Sequence, residues 1–278
     1  GVLHHLADPA GGLRALTAVL APGGAITLML YAPFGRFGVS LIQAYCRLLG
    51  VRAEPDEIDD LVVALRELHV GHPMSRLLRQ TRDFHDDDAL ADALLNPRER
   101  TYAVDELYEL LDSAGLRFGR WRRQGPYLPD CGSMSETPHR DRVLALPDRA
   151  QAAAMECWRG TIDRHTVIAF HVGDESSGHI EWSDIGAAVP IVDPSAIAVD
   201  DDSRLPAGVA AALINRGHPA SDVVLFADAD ELASFRAIDG RASVSELGIP
   251  VPFVERLWRH DLVVLDTTPA SAPGSGTS

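Results

Sequence analysis

The opening 32 residues constrain the chain most. They run Gly1-Val2-Leu3-His4-His5-Leu6-Ala7-Asp8-Pro9, a helix-like segment from Gly11 to Ala21, then Pro22-Gly23-Gly24 and the apolar run Ala25 to Ala32. Asp8 stands where an N-cap would, its carboxylate able to accept from the free first-turn amides. Pro9 suits the first helical position because the N–H it lacks would go unused there. Leu13, Leu16 and Leu20 follow at helical spacing, which predicts one face laid on a sheet. Pro22-Gly23-Gly24 ends the helix. Ile26-Thr27-Leu28-Met29-Leu30 is apolar at nearly every position, the pattern of a strand covered on both faces, as in a parallel sheet. The stretch reads as a strand end, a crossover helix and a second strand.

The pairing of Val2-Leu3-His4-His5-Leu6-Ala7-Asp8-Pro9 with Val19-Leu20-Ala21-Pro22-Gly23-Gly24 and a buried strand resembles the class I S-adenosylmethionine-dependent methyltransferases. In that family the pattern spans the end of strand four, the next helix and strand five. The resemblance implies an α/β fold with a partial Rossmann-like sheet. It also places Gly1, Val2 and Leu3 beside the methionine and adenosine portions of S-adenosyl-L-methionine, with His4 and His5 just beyond. One of those histidines would contact substrate or act as general base, since an unperturbed imidazole titrates near neutrality. The alternative is that His4 packs at the loop and His5 faces the helix. Family members hold the cofactor mainly through a Gly-rich loop after strand one and an acidic residue after strand two, and no G-x-G-x-x-G occurs in this chain. The expectation is therefore the C-terminal half of a longer methyltransferase, with little activity or cofactor binding by itself.

With 278 residues and 46% apolar content the chain can bury a sizeable core, and a net charge of −15 argues against broad attraction to nucleic acid or anionic lipid. Cys46, Cys131 and Cys157 are odd in number and far apart, so neither a disulfide framework nor a zinc site is expected. No run approaches the roughly 20 apolar residues of a membrane span. A cytoplasmic protein fits.

After Tyr31-Ala32-Pro33, the segment Phe34-Gly35-Arg36-Phe37-Gly38 has two glycines that permit a bent loop at the C-terminal end of the strand, the edge at which α/β sheets bind ligands. Tyr31, Phe34 and Arg36 are candidates for the substrate side; strand-end packing with a solvated Arg is the alternative. Residues 39–100 read as a helical insertion, with Leu61, Val62, Leu65 and Leu68 on one face, and by resemblance it forms a lid. Arg82-Asp83-Phe84-His85-Asp86-Asp87-Asp88 could tempt a metal reading, but an acidic helix start explains it without one. Ala103 to Leu111 is a helix ended by Gly115 and similar to the family's last helix. Leu116 to Trp121 then corresponds to strand six, and Thr166 to Val172 to strand seven, antiparallel at the sheet edge. Tyr102 and Tyr127 are further candidates for the acceptor pocket. Residues 159–165 group polar side chains into either a substrate-recognition corner or a capped turn.

The Gly- and Ser-rich stretch from Gly173 to Gly178 marks a linker. The expected division is thus 1–173, a second domain over 178–266 and a disordered tail over 267–278. In the second domain Val189 to Val192 and Ile197 to Val199 read as strands and Val209 to Asn215 as helix, while Val223 to Phe226 is open between the two. Ser243-Val244-Ser245-Glu246 is a capping box. Phe253 to His260 is a helix with Val254, Leu257 and Trp258 inward and Glu255, Arg256, Arg259 and His260 outward. The order of these motifs resembles winged-helix modules, giving a small α+β domain. Its Asp-rich composition disfavours nucleic acid and favours a protein partner.

Together these readings describe a methyltransferase using S-adenosyl-L-methionine on a small-molecule acceptor, with no metal and no membrane. A binding or regulatory protein that keeps part of the fold without the activity is the rival.

Overall fold

A computed structural model of the chain describes residues 1–80, 86–174, 180–201 and 205–267. They form two compact units, residues 1–122 with 152–177 and residues 123–151 with 178–278. In chain order the elements run α1 (Pro9–Ala18), β1 (Ala25–Tyr31), α2 (Phe37–Leu49), α3 (Pro55–Arg66), α4 (Met74–Gln80), α5 (Asp87–Leu95), α6 (Val104–Ser113) and β2 (Leu116–Trp121). There follow α7 (Arg140–Leu144), α8 (Asp148–Arg159) and β3 (Arg164–His171).

In the first unit the three strands make one sheet of order β1-β3-β2. β3 runs antiparallel to both neighbours, pairing Ala25 with Phe170 and Tyr31 with Arg164 on one side and Leu116 with His171 on the other. Two expectations are corrected here. β3 sits between its partners and not at the edge, and β1 has an antiparallel partner where a parallel one was expected. The alternation in β3 explains its place: His165, Val167 and Ala169 are fully buried on one face. The β2 register shifts between Phe118 and Arg120, leaving Gly119 as the extra residue. A Cβ there would lie 2.3 Å from the Phe170 ring.

Asp8 caps α1, its Oδ1 accepting from Gly11 N at 2.8 Å, with Pro9 at the first helical position. The helix stops at Ala18, so Leu20 falls outside it and Leu16 is exposed. The buried pair is Leu13 with Thr17, one turn apart, whose hydroxyl donates to the Leu13 carbonyl at 3.0 Å. α2 to α5 form a helical layer with its own core of Val39, Ile42, Cys46, Leu61, Leu65 and Leu94 among others. Val62 and Leu68 are only partly buried against it. Asp86 caps α5 by accepting from Ala89 N, and Asp87 and Asp88 occupy its first turn. Asp83 and His85 lie outside the described residues.

The second unit contains β4 (Val189–Val192), β5 (Ala196–Val199), β6 (Ala211–Asn215), β7 (Val224–Ala227), α9 (Ala229–Ala237), α10 (Val244–Leu247), α11 (Val251–Arg259) and β8 (Val263–Asp266). β4 pairs with β8, and β5-β6-β7 form a three-stranded sheet, all antiparallel. The expected helix over 209–215 is a strand, because its alternate residues Ala211, Leu213 and Asn215 face the core. Seven residues cannot show a helical repeat clearly enough to compete with that alternation. His260, expected to point outward, is buried. Residues 123–151, read from sequence with the first domain, cluster in this unit, where Cys131 packs with Ala220 and Val223. Among the described residues no helix is long and apolar enough to cross a membrane.

Candidate functional site

The first unit gathers its polar side chains where the turn Leu3–His5, the end of β1 and the start of α2 meet the segment 96–102. That segment is tied down by its backbone: Arg100 N donates to His4 O at 3.0 Å and Tyr102 N to Tyr31 O at 2.8 Å. The His4 ring lies 4.1 Å from the Tyr31 ring and 4.2 Å from His5, centroid to centroid. The Arg36 guanidinium covers the other aromatic neighbour, 3.6 Å from the Tyr31 centroid, a cation–π stack.

Arg36 is also one half of a buried ion pair. Its Nη2 donates to Glu99 Oε1 at 2.7 Å, and the two side chains are only 9% and 4% exposed. Gln43, on the inner face of α2, adds a second donor to the same oxygen at 3.1 Å and also donates to Ala93 O at 2.9 Å. Yet Glu99 Oε2 and Arg36 Nε are buried without a hydrogen-bond partner among the described residues, while the buried His4 ring keeps a backbone hydrogen bond to Met29. Buried polar atoms are almost always satisfied, so unmet ones on both members of one buried ion pair mark the cluster as a place built for something besides packing.

The two histidines differ in chemistry. Burial, then the neighbouring His5 and Arg36, push the His4 pKa down from 6.5 to about 4, so its imidazole is neutral at physiological pH. His5 is half-buried, and its Nδ1 sits 3.2 Å from Asn96 Nδ2. The orientation of that amide is fixed independently, because Asn96 Oδ1 accepts from Arg98 N and Nδ2 also donates to Asp92. Nδ1 of a neutral His5 is therefore the acceptor and Nε2 carries the proton. His5 is set up to donate a hydrogen bond; His4 is held neutral, and the burial and positive neighbours that hold it so also weaken it as a base. Burial raises the phenol pKa of Tyr31 and of Tyr102, which keeps both protonated.

The structure brings together four of the residues expected from sequence, His4, His5, Tyr31 and Arg36. Arg36 is buried and paired, not solvated. Tyr102 is buried beneath Arg100, 4.7 Å from its guanidinium, and meets the cluster through its backbone. Phe34 is largely exposed. Tyr127 is buried within the second unit. Gly1 and Val2 are exposed and Leu3 is buried. Sequence reasoning missed Glu99, Gln43 and Asn96. Glu99 stood in Asn96-Pro97-Arg98-Glu99-Arg100, where a carboxylate between two arginines reads as surface charge.

A second buried dyad lies nearby in the fold. Glu156 Oε1 pairs with His165 Nε2 at 3.1 Å while its Oε2 accepts the Val104 amide, the first of α6. Its carboxylate thus closes the start of that helix. In place of a surface turn, the polar group at 159–165 contributes a buried Arg159 and a buried His165.

No family model matches the chain. An uncharacterised protein of Synechococcus sp. is 30% identical over 190 residues, which cover 66% of this chain and 45% of that relative. Among solved structures, PKMT2 from Rickettsia typhi matches with a TM-score of 0.63 at 9% identity, over 96% of this chain and 57% of PKMT2. PKMT2 in complex with AdoHcy matches with a TM-score of 0.62 at the same identity and coverage. The likeness shows that the chain shares the fold of the matching part of PKMT2. The chain spans about half the length of the relatives it matches.

Proposed function

We propose that this chain supplies the acceptor-side wall of a methyltransferase that uses S-adenosyl-L-methionine and acts on a small molecule. The observation that carries the reading is the buried cluster of His4, Arg36 and Glu99, in which Arg36 Nε and Glu99 Oε2 have no partner among the described residues, beside a half-buried donor, His5. When bound, the cofactor supplies an electrophilic methyl group on a sulfonium. Methyl transfer is an in-line displacement, so the protein's task is to align the acceptor, exclude water and take up a proton where the acceptor carries one. Here His5 Nε2–H orients the acceptor, neutral His4 receives the proton, and Arg36 stacked on Tyr31 fixes the wall. Gly1, Val2 and Leu3 fit the cofactor as backbone and apolar surface and offer no charged side chain for its carboxylate.

The rival reading, a binding protein that retains the fold without the activity, draws on the complete burial of His4, which must be uncovered before it can meet an acceptor. Transfer of labelled methyl from S-adenosylmethionine by the full-length protein decides between them. The proposal expects label in an acceptor and a fall of roughly 100-fold or more in turnover for His4→Gln, the usual size of a lost acid–base group. Cofactor binding without transfer to any acceptor supports the rival.

For the C-terminal unit we propose contact with a protein and not with DNA. Three of its arginines are engaged: Arg259 with Asp130 at 2.8 Å, Arg236 with Asp200 at 2.6 Å, and Arg256 with Glu231. Their charge is offset by carboxylates, and the unit's many Asp residues would repel phosphates. A fluorescence anisotropy assay with duplex DNA at low salt is expected to show no binding, and salt-sensitive micromolar binding overturns the assignment.

A further inference from the structure

α2 has two faces with opposite characters. Inward, Val39, Ile42 and Cys46 enter the helical core and Gln43 reaches Glu99. Outward, Phe37, Leu41, Tyr45 and Leu49 recur every four residues and are 55%, 38%, 45% and 63% exposed, with Leu48 beside them at 86%. Their exposed surface is on the order of 500 Å² per chain, as large as the biggest apolar patch of a typical monomer. The helix carries no carboxylate, and Arg47 is its one charged side chain.

We propose that this face pairs with the same face of a second copy, two α2 helices running antiparallel about a two-fold axis at the level of position 43. Two features on the helix itself favour a copy over a different partner. First, the row is symmetric about that position: Phe37 and Leu49 stand six residues to either side, Leu41 and Tyr45 two. A two-fold contact requires that if one residue meets another, the reverse contact also forms. The axis satisfies this by setting Leu41 against Tyr45 and Phe37 against Leu49, an aliphatic side chain opposite an aromatic one at each step. A row spaced by four is also the ridge that packs into the equivalent groove of another helix. Second, two such faces together remove about 1,000 Å² from water, the size at which specific interfaces begin.

The chain's net charge of −15 opposes self-association, while the face itself carries almost none. Added salt should therefore strengthen the dimer by screening the overall repulsion, whereas an interface held by ion pairs would weaken.

Sedimentation equilibrium on the whole chain tests this. The expected mass is near twice the 30.0 kDa of one chain, rising in population with sodium chloride. Leu41→Glu should give monomers with an unchanged circular dichroism spectrum, and Leu41→Glu with Tyr45→Lys should restore the dimer by placing opposite charges across the axis. A Leu41→Cys, Tyr45→Cys chain should crosslink between copies on oxidation. A wild-type monomer at all concentrations up to about 100 μM overturns the proposal. So does a dimer that survives Leu41→Glu, which would place the contact elsewhere.

Discussion

Glu99 concentrates the first unit's electrostatics on one oxygen, which accepts from both Arg36 and Gln43, while the other oxygen has no donor among the described residues. A buried pair of this kind contributes little net stability, but removing one partner strands a charge. Glu99→Leu is therefore expected to destabilise the chain by about 3–5 kcal/mol, while Arg36→Met with Glu99→Leu should cost clearly less, as a double-mutant cycle in urea would show. His4 gives a complementary signature in pH. Its folded pKa of about 4 lies below the unfolded value of 6.5, so the unfolded chain takes up a proton first as pH falls. The contribution is zero above the unfolded value and destabilises progressively from pH 6.5 down to about 4. His260, lowered by burial to about 4, adds to the same window. Thermal melts at pH 7 and pH 5 should show a lower midpoint at pH 5, with a smaller gap in His4→Phe. An equal gap would mean that His4 does not titrate there. For turnover the sign is opposite in effect: a base that stays neutral to about pH 4 leaves no activity loss between pH 7.5 and 5.5 on its account.

Two glycines at the head of α2 act through closeness, not through a bend. Neither has positive φ. A Cβ on Gly35 would lie 2.2 Å from the Ile162 carbonyl, and one on Gly38 would lie 2.4 Å from Met74 N at the start of α4. Backbone meets backbone at both points, so no side chain can yield. Gly38→Ala is expected to cost about 1–3 kcal/mol, the usual range for overpacking, where an open helical position would gain from the same change. Chemical denaturation measures it, and a neutral or stabilising result would show that α2 can slide from α4. The same elements separate what sequence can tell from what it cannot. The Asp8 cap, the Ser243–Glu246 box and the buried Leu61, Leu65, Val254 and Leu257 depend on residues within a few positions of each other, and all were readable. The central place of β3, the strand over Ala211–Asn215 and the pairing of Arg36 with Glu99, 63 residues apart, depend on which segments meet. Local pattern holds no record of that. Tyr31, Arg36 and the two histidines were reachable because they flank one motif, whereas Gln43 and Asn96 looked like ordinary helix and helix-end residues.

At the scale of the whole molecule the chain crosses between its two units more than once, so the second unit must gather residues 123–151 and 178 onward into one body. Asp261 is where this happens. Its φ of 55° is left-handed, a conformation that disfavours any side chain bearing a Cβ. The backbone is held there by what the carboxylate and carbonyl receive. Oδ1 accepts from Gln124 N at 3.0 Å, Oδ2 from Gly125 N at 2.8 Å and His218 Nε2 at 2.9 Å, and the carbonyl accepts from Asn215 Nδ2 at 2.6 Å. One residue thus joins the 123–151 segment, the end of β6 and the entry to β8. Asp261→Gly keeps the backbone conformation and relieves its strain but strands two buried amides and an imidazole. Each such loss costs about 1–3 kcal/mol, against about 1–2 kcal/mol recovered from the backbone. Net destabilisation is expected, and it should be local: limited proteolysis should find new cleavage between Gln124 and Ser133 well before the chain unfolds. Asp261→Asn should fall between, since its amide keeps one acceptor and tolerates the left-handed region. If Asp261→Gly melts as high as wild type and resists protease in that segment, the carboxylate is not what fastens it, and the apolar contacts of Cys131 with Ala220 and Val223 are.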